Sequence, residues 1–251
     1  MLIMGILNVT PDSFADGGRH NEFGAAVARG LEMIAEGVDI IDIGGESTRP
    51  GAERVSEAEE IERTIPVIAE LAKHGVKISI DTMRASTAEV AIKAGASIIN
   101  DVSGGLADPH MLQTAARLGV PYIAMHWRGQ SKDMNSKAIY SDVVIDVISE
   151  LQERITAALD AGIEVGNLII DPGLGFAKDA EHNWEIIDSI DSFVDLGYPV
   201  LVGASRKRFL GGDSPDEREQ ATIDLTKRLA TTGVWAVRVH SVKPHKEVLA
   251  Q

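Results

Sequence analysis

The sequence contains no cysteine. That excludes disulfide scaffolds, thiolate metal centres and cysteine nucleophiles. Aromatic residues make up only 4%, and 38 acidic residues against 24 basic ones leave a formal net charge of −14. So acidic a chain with so few stacking side chains argues against a general nucleic-acid binder. No apolar run approaches the ~18 residues that span a membrane. The apolar start, Met1 to Val9, lacks a basic leader and runs into Thr10-Pro11-Asp12, so it reads as a buried strand rather than a signal peptide. Neither a Walker loop nor a GxGxxG occurs, so a nucleotide is not the obvious guest. What remains is 44% hydrophobic and 25% charged over 251 residues, an ordinary globular composition at the length of a single α/β barrel. The expectation is one cytoplasmic domain spanning 1–251, with neither a membrane nor a nucleic acid as partner.

Glycine punctuates the chain. Gly37, Gly75, Gly95, Gly119, Gly162, Gly197 and Gly233 each close an amphipathic stretch a few residues ahead of a short apolar run. Glycine just past a helix end takes the left-handed conformation that closes the last turn, so each reads as helix stop, strand next. With an opening strand at 2–9, that predicts eight strands separated by seven helices, and the tail after Val242 supplies a short eighth helix. Val144, Ile148, Leu151, Ile155 and Leu159 form one apolar face, and Ile61, Ile65, Ile68 and Leu71 another. Ser56 with Glu59 reads as a capping box, and Asp108-Pro109 and Ser214-Pro215 as helix starts. The strands are short, continuous and rich in Val and Ile, as strands buried on both faces of a parallel sheet should be. Strict βα alternation favours a closed (β/α)8 TIM barrel, with an open doubly wound sheet as the alternative.

In such a barrel the chemistry sits at the carboxyl ends of the strands. The strands end in turn at Asn8; at Asp42 with the Gly44–Gly51 run; at Asp81; at Asn100-Asp101; at His126; at Asp171-Pro172-Gly173; at Gly203 to Arg208; and at Arg238-Val239-His240. Each alone has a plain reading: Asp81 as a helix cap, Asp171-Pro172-Gly173 as a turn, His126 as a satisfied core histidine. Together they predict a polar group from every strand at one mouth. Arg49, Arg206, Lys207, Arg208, Arg238 and His240 form a cationic cluster on an acidic chain, which suits a captured anion such as a phosphate. A solvated basic loop is the plain alternative for Arg206-Lys207-Arg208. Asp81, Asn100 and Asp171 suit a flat guest with a donor-rich edge, because a carboxylate accepts parallel N–H bonds and an Asn amide both donates and accepts.

At these residues the sequence resembles the dihydropteroate synthase family of folate biosynthesis over essentially its whole length. The resemblance is carried by Gly5 to Phe14 with Asp16-Gly17-Gly18, by Asp42 to Gly51, by Ser79-Ile80-Asp81-Thr82 and by Asn100 to Gly105. It continues through Met125-His126, Asp171 to Phe176, Ser205 to Gly211 and Arg238-Val239-His240. It implies a TIM-barrel transferase that joins 4-aminobenzoate to (7,8-dihydropterin-6-yl)methyl diphosphate with Mg²⁺, working as a homodimer and blocked by sulfonamides.

The resemblance also assigns residues. Asp81, Asn100, Met125, Asp171, Phe176 and Lys207 form the pterin pocket, with Lys207, Asp81 and Asp171 as the catalytic groups. Thr48, Arg49, Arg238 and His240 hold the diphosphate; Thr48, Pro50, Phe176 and Arg208 face the aminobenzoate; Asn8 and Asp12 hold the Mg²⁺. Glycines in the first two loops, Gly44-Gly45 among them, read as lids or as turns. Ser241 stands where the family often has Asp, and the tail after Val242, which in the family helps form the dimer, is short. A methyltetrahydrofolate-dependent methyltransferase would share the carboxylates but needs no diphosphate site. A Schiff-base enzyme using Lys207 and a non-catalytic pterin-binding protein are the remaining alternatives.

Overall fold

The computed structural model describes residues 1–10, 18–46, 55–129 and 134–250. In chain order the elements begin with β1 (Leu2–Asn8), α1 (Gly18–Ala35), β2 (Ile40–Gly44), α2 (Glu57–Leu71), β3 (Lys77–Asp81) and α3 (Ala85–Ala94). They continue with β4 (Ile98–Asp101), α4 (Met111–Leu118), β5 (Tyr122–Met125), α5 (Val143–Asp160), β6 (Leu168–Asp171) and α6 (Ala180–Asp188). The last are α7 (Ile190–Val194), β7 (Leu201–Val202), α8 (Glu217–Leu229), β8 (Ala236–Val239) and α9 (Lys243–Leu249). All seven glycines that mark helix ends have left-handed backbone, with φ between 66° and 119°.

The strands pair in parallel in the order β6-β5-β4-β3-β2-β1-β8-β7. A parallel bridge between Ile170 and Val200 joins the two ends, so the sheet closes into a (β/α)8 barrel, as expected. Side chains alternate across a strand, and the alternation separates two apolar layers. Ile41 and Ile43, Ile78 and Ile80, Tyr122 and Ala124, Val237 and Val239 face outward and pack with the helices. Met4, Ile40, Ile98, Ile123, Ile169, Leu201 and Ala236 fill the barrel interior, closed below by Leu2 and Trp235. Two residues further along four of these strands the interior turns polar, at Asp42, Asn100, Asp171 and Arg238. That change positions the site.

Local details differ from the sequence expectations in ways packing explains. Ser56 Oγ accepts the Glu59 N–H, but the Glu59 carboxylate takes Arg63 rather than returning to the cap, so only half of the capping box forms. The buried face of α2 includes Glu60, Thr64 and Val67 with Ile68 and Leu71, leaving Ile65 at its flank. In α5 the fully buried stripe is Val143, Val147, Leu151, Ile155 and Ala158, flanked by Val144, Ile148 and Leu159. The helices α4 and α8 begin two residues beyond Pro109 and Pro215. Among the described residues no helix is long and apolar enough to cross a membrane.

Candidate active site

Counting by two from the interior apolar layer reaches the site. Ile40 leads to Asp42, Ser79 to Asp81, Ile98 to Asn100, Ile123 to Met125, Ile169 to Asp171, Leu201 to Gly203 and Ala236 to Arg238. The register holds them at neighbouring levels, with Asp81 opposite Gly44 and Asn100 and Met125 opposite Asp171. Asp42, Asp81, Asn100, Met125 and Asp171 are all buried.

Arg238 lies among these carboxylates rather than on a separate cationic flank. Its Nε donates to Asp42 Oδ2 at 2.6 Å and its Nη2 to Asp81 Oδ2 at 2.7 Å. Asp42 Oδ2 also accepts the Asn100 amide at 3.1 Å, while the buried Asp42 Oδ1 has no hydrogen-bond partner. Sequence reasoning placed Asp42 at a strand end but gave it no role; the structure makes it the junction of Arg238 and Asn100. Burial works against the Arg238 charge, but Asp42 and Asp81 hold its pKa above the ordinary value. Burial pushes the Asp81 carboxyl up, Arg238 pulls it down, and the nearby charges of Asp42, Glu60 and Asp101 push it up again, so the net shift is upward.

On the opposite wall, Asp171 Oδ1 accepts the Gly173 N–H at 2.7 Å. Its Oδ2 faces the gap over Gly203, where an added Cβ would stand 3.8 Å from it and 4.0 Å from Arg238 Cβ. Burial raises the Asp171 pKa against the opposing pull of the Gly173 bond, Lys207 and Arg238. The Lys207 ammonium lies 4.6 Å from the Phe176 ring centroid and donates to Leu174 O. Desolvation brings its pKa down to about 8, with Asp171 opposing that fall and Arg238 adding to it. Lys207 and Asp171 thus act on one another electrostatically.

Two expectations are corrected. His126 does not reach the mouth: it follows inward-facing Met125 by one residue and so points outward, fully buried, between Glu150 and Lys178. Arg206 also turns away. With a left-handed φ of 58°, it pairs with Glu219 on α8 at 2.6 Å and donates to Ser241 Oγ at 2.7 Å. Ser241 therefore has a partner of its own outside the anion site. Gly45, in addition, meets the close approach of α2: a Cβ there would stand 2.9 Å from Thr64 Cγ2 and 3.1 Å from Glu60 O.

The remaining assigned residues are placed as follows. His240, at the end of β8, donates its N–H to Ser205 Oγ at 3.2 Å. The Ser205 hydroxyl lies 2.9 Å from His240 Nδ1 as well. Arg208 is exposed and opens the short helical turn Arg208–Leu210. Asn8 is half-buried at the end of β1, opposite Gly44. Asp12, Thr48, Arg49 and Pro50 lie outside the described residues. On either side of that second stretch, Glu46 and Val55 are both held by Arg84, at 2.8 Å to the Glu46 carboxylate and 2.6 Å to Val55 O, and Arg84 pairs as well with buried Glu60 at 2.5 Å.

Among the described residues no group of three or more His, Asp or Glu side chains forms a metal cluster. Of the two residues expected to hold a magnesium ion, Asn8 stands at the end of β1 and Asp12 lies outside the described residues.

The sequence matches the family described as pterin binding enzyme over residues 4–240. A dihydropteroate synthase of Mycobacterium leprae is 47% identical over 98% of this chain and 90% of its own length. The solved dihydropteroate synthase of Xanthomonas albilineans with 4-aminobenzoic acid superposes with a TM-score of 0.93 at 42% identity, covering 99% of this chain and 90% of that one. The same organism's enzyme in complex with 7,8-dihydropteroate gives a TM-score of 0.90 at 39% identity, over 99% and 91%. With a profile match over nearly its whole length, and with relatives this close in sequence and fold, the chain belongs to the pterin binding enzymes.

Proposed function

We propose that this chain joins 4-aminobenzoate to (7,8-dihydropterin-6-yl)methyl diphosphate, forming 7,8-dihydropteroate and releasing pyrophosphate, a step of folate biosynthesis. The observation that carries the reading is the polar layer of Asp42, Asp81, Asn100, Asp171 and Arg238 on the barrel floor, with Lys207 and Phe176 above it.

The dihydropterin lies with its donor edge toward Asp171 Oδ2 and Asn100, its faces against Met125 and Phe176, and its acceptors toward Lys207. An aromatic amine is a weak nucleophile, so the C–O bond to the diphosphate breaks first and leaves a methylene cation delocalised into the ring. Asp171 and Asp81, fixed before reaction, offset that positive charge. His240 and Arg238 bind the departing pyrophosphate together with Thr48 and Arg49. Arg238 is already anchored by two carboxylates, so its unengaged amino group makes that contact. A magnesium ion, held by Asn8 and Asp12, would stabilise the same leaving anion. Thr48, Pro50, Phe176 and Arg208 orient the aminobenzoate, whose nitrogen forms the new C–N bond and loses its proton to water or pyrophosphate. Every atom of both substrates is accounted for without a covalent enzyme intermediate.

The reading extends to a homodimer in the cytoplasm. An exposed Trp184 on α6, edge-on to Phe209 at 5.8 Å between centroids, supports an apolar contact on that side, and light scattering of the purified chain tests it. The activity itself is tested by pyrophosphate release coupled to chromatography of dihydropteroate. The expected result is product only with both substrates and Mg²⁺. Pyrophosphate release that ignores 4-aminobenzoate would overturn the assignment.

A further inference from the structure

Lys178 and His126 are both buried, both titratable, and both idle in the mechanism above. They meet behind the turn that carries Asp171 and Phe176. The Lys178 ammonium has three hydrogens and three acceptors: Gly173 O at 3.1 Å, Phe176 O at 3.1 Å and His126 Nδ1 at 2.9 Å. His126 Nε2 lies 2.9 Å from Glu150 Oε2, and Arg128 holds the other Glu150 oxygen at 2.5 Å. The chain of contacts runs from α5 through β5 to the β6–α6 turn.

The turn needs such a tie. Its main chain folds back through three left-handed residues, Gly173 at φ 69°, Gly175 at 76° and the non-glycine Ala177 at 49°. A buried carbonyl without a partner costs about 1–3 kcal/mol; Gly173 O also accepts the Phe176 N–H at 3.1 Å within the turn, and beyond that bond the carbonyls are divided between two lysines. Gly173 O and Phe176 O take Lys178, while Leu174 O between them takes Lys207. The Gly173 N–H in turn fixes Asp171 Oδ1. Displacing the turn would move Asp171, Phe176 and Lys207 together.

We propose that Lys178, aligned by His126 and Glu150, is a positioning residue of the pterin pocket: it holds the Gly173–Phe176 turn so that Asp171, Phe176 and Lys207 present a single preformed surface to the ring. Desolvation brings the Lys178 pKa down to about 7 and the His126 pKa down to about 4. The His126 direction leaves a neutral imidazole whose Nδ1 accepts from Lys178 at neutral pH, while the Lys178 direction means that its three-donor ammonium form is lost as the pH rises through about 7. The inference rests on the pterin reading above and adds a residue that touches no substrate.

The test compares the parent with Lys178→Met and Glu150→Gln by steady-state kinetics and by calorimetric titration with a dihydropterin alcohol, which needs no turnover. Lys178→Met should raise the KM for the dihydropterin diphosphate and the Kd for the alcohol by ~10-fold or more, leaving the KM for 4-aminobenzoate within ~2-fold. Glu150→Gln, which keeps the hydrogen-bonding shape but removes the charge that orients His126, should shift the same two constants in the same direction by ~3-fold. If Lys178→Met does not fold, Glu150→Gln and the alcohol titration decide alone. Unchanged pterin constants in the folded variants, or equal losses for both substrates, overturn the proposal. A parent that binds the alcohol but makes no dihydropteroate refutes the catalytic reading instead, and the alcohol titrations still judge Lys178.

Discussion

Asp42→Asn removes one charge from the floor of the barrel with almost no change of volume. In the parent, Asp42 Oδ2 accepts from Arg238 Nε at 2.6 Å and from Asn100 Nδ2 at 3.1 Å. A hydrogen bond to a charged group contributes about 1.5–3 kcal/mol and a neutral one about 1 kcal/mol. Removing one partner of a buried ion pair costs about 3–5 kcal/mol when the other is stranded. Arg238 is not stranded, because Asp81 keeps its 2.7 Å bond. Asp42 also repels Asp81 and helps hold the Asp81 pKa up; its neutralisation lets Asp81 ionise more fully and grip Arg238 harder. The expected net loss is therefore about 2–3 kcal/mol, below the stranded-charge figure. Urea denaturation at neutral pH should show a lower midpoint with an unchanged slope. Turnover should fall ~10-fold or more, because Arg238 and Asn100 lose their common anchor. A variant within about 0.5 kcal/mol of the parent, turning over at the parental rate, would refute the idea that Asp42 organises this floor.

Lys207→Ala and Asp171→Asn should each lower turnover by at least ~10²-fold, the scale of a lost oriented electrostatic partner; near-parental rates in both, measured by product formation, would sink the pocket assignment. Arg238→Ala should weaken binding of the dihydropterin diphosphate far more than that of the dihydropterin alcohol, and calorimetry showing equal losses would contradict an anion contact. Sulfonamides should compete with 4-aminobenzoate and not with the pterin substrate, read from inhibition patterns. Acid stability carries a further sign. His126 is buried among Glu150, Lys178 and Arg128, and its pKa is lowered from 6.5 to about 4 by burial first and then by Lys178. The unfolded chain therefore binds a proton that the folded chain refuses, so stability is full above pH ~6.5 and falls as the pH drops toward ~4, by about 3 kcal/mol at 1.36 kcal/mol per unit. The difference in urea stability between the parent and His126→Gln, followed across that range, should shrink as the pH falls; a constant difference would exclude His126 as the cause.

Most of the architecture was open to reading because its cause is local. A glycine past each helix end and a Val/Ile run after it are stated within a few residues, and the closed barrel follows from repeating that unit. The site was half open for the same reason: Asp81, Asn100 and Asp171 stand at or near the ends of their strands and Lys207 follows β7, and the structure joins Asp81 to Arg238, Asn100 to Asp42 and Asp171 to Lys207. What escaped is the phase of the alternation. His126 looked like the contribution of β5 because it is the first polar residue after an apolar run, yet inward-facing Met125 immediately before it sends the imidazole outward to Glu150. Asp42 was placed at a strand end but given no role, although it follows interior Ile40 by two, the same step that takes Ile98 to Asn100 and Ile169 to Asp171. The pairing of Arg238 with Asp42 and Asp81 lay further out of reach, since those partners are 196 and 157 residues away and meet only when the barrel closes. Charge alone could not reveal it: cations and carboxylates at one mouth are equally compatible with two separate flanks or one neutralised floor. Distance decides between them, and it favours the floor. Arg238 then has two duties: its Nε and Nη2 hold the Asp42 and Asp81 carboxylates in line, and the proposed diphosphate contact falls to its remaining amino group beside His240.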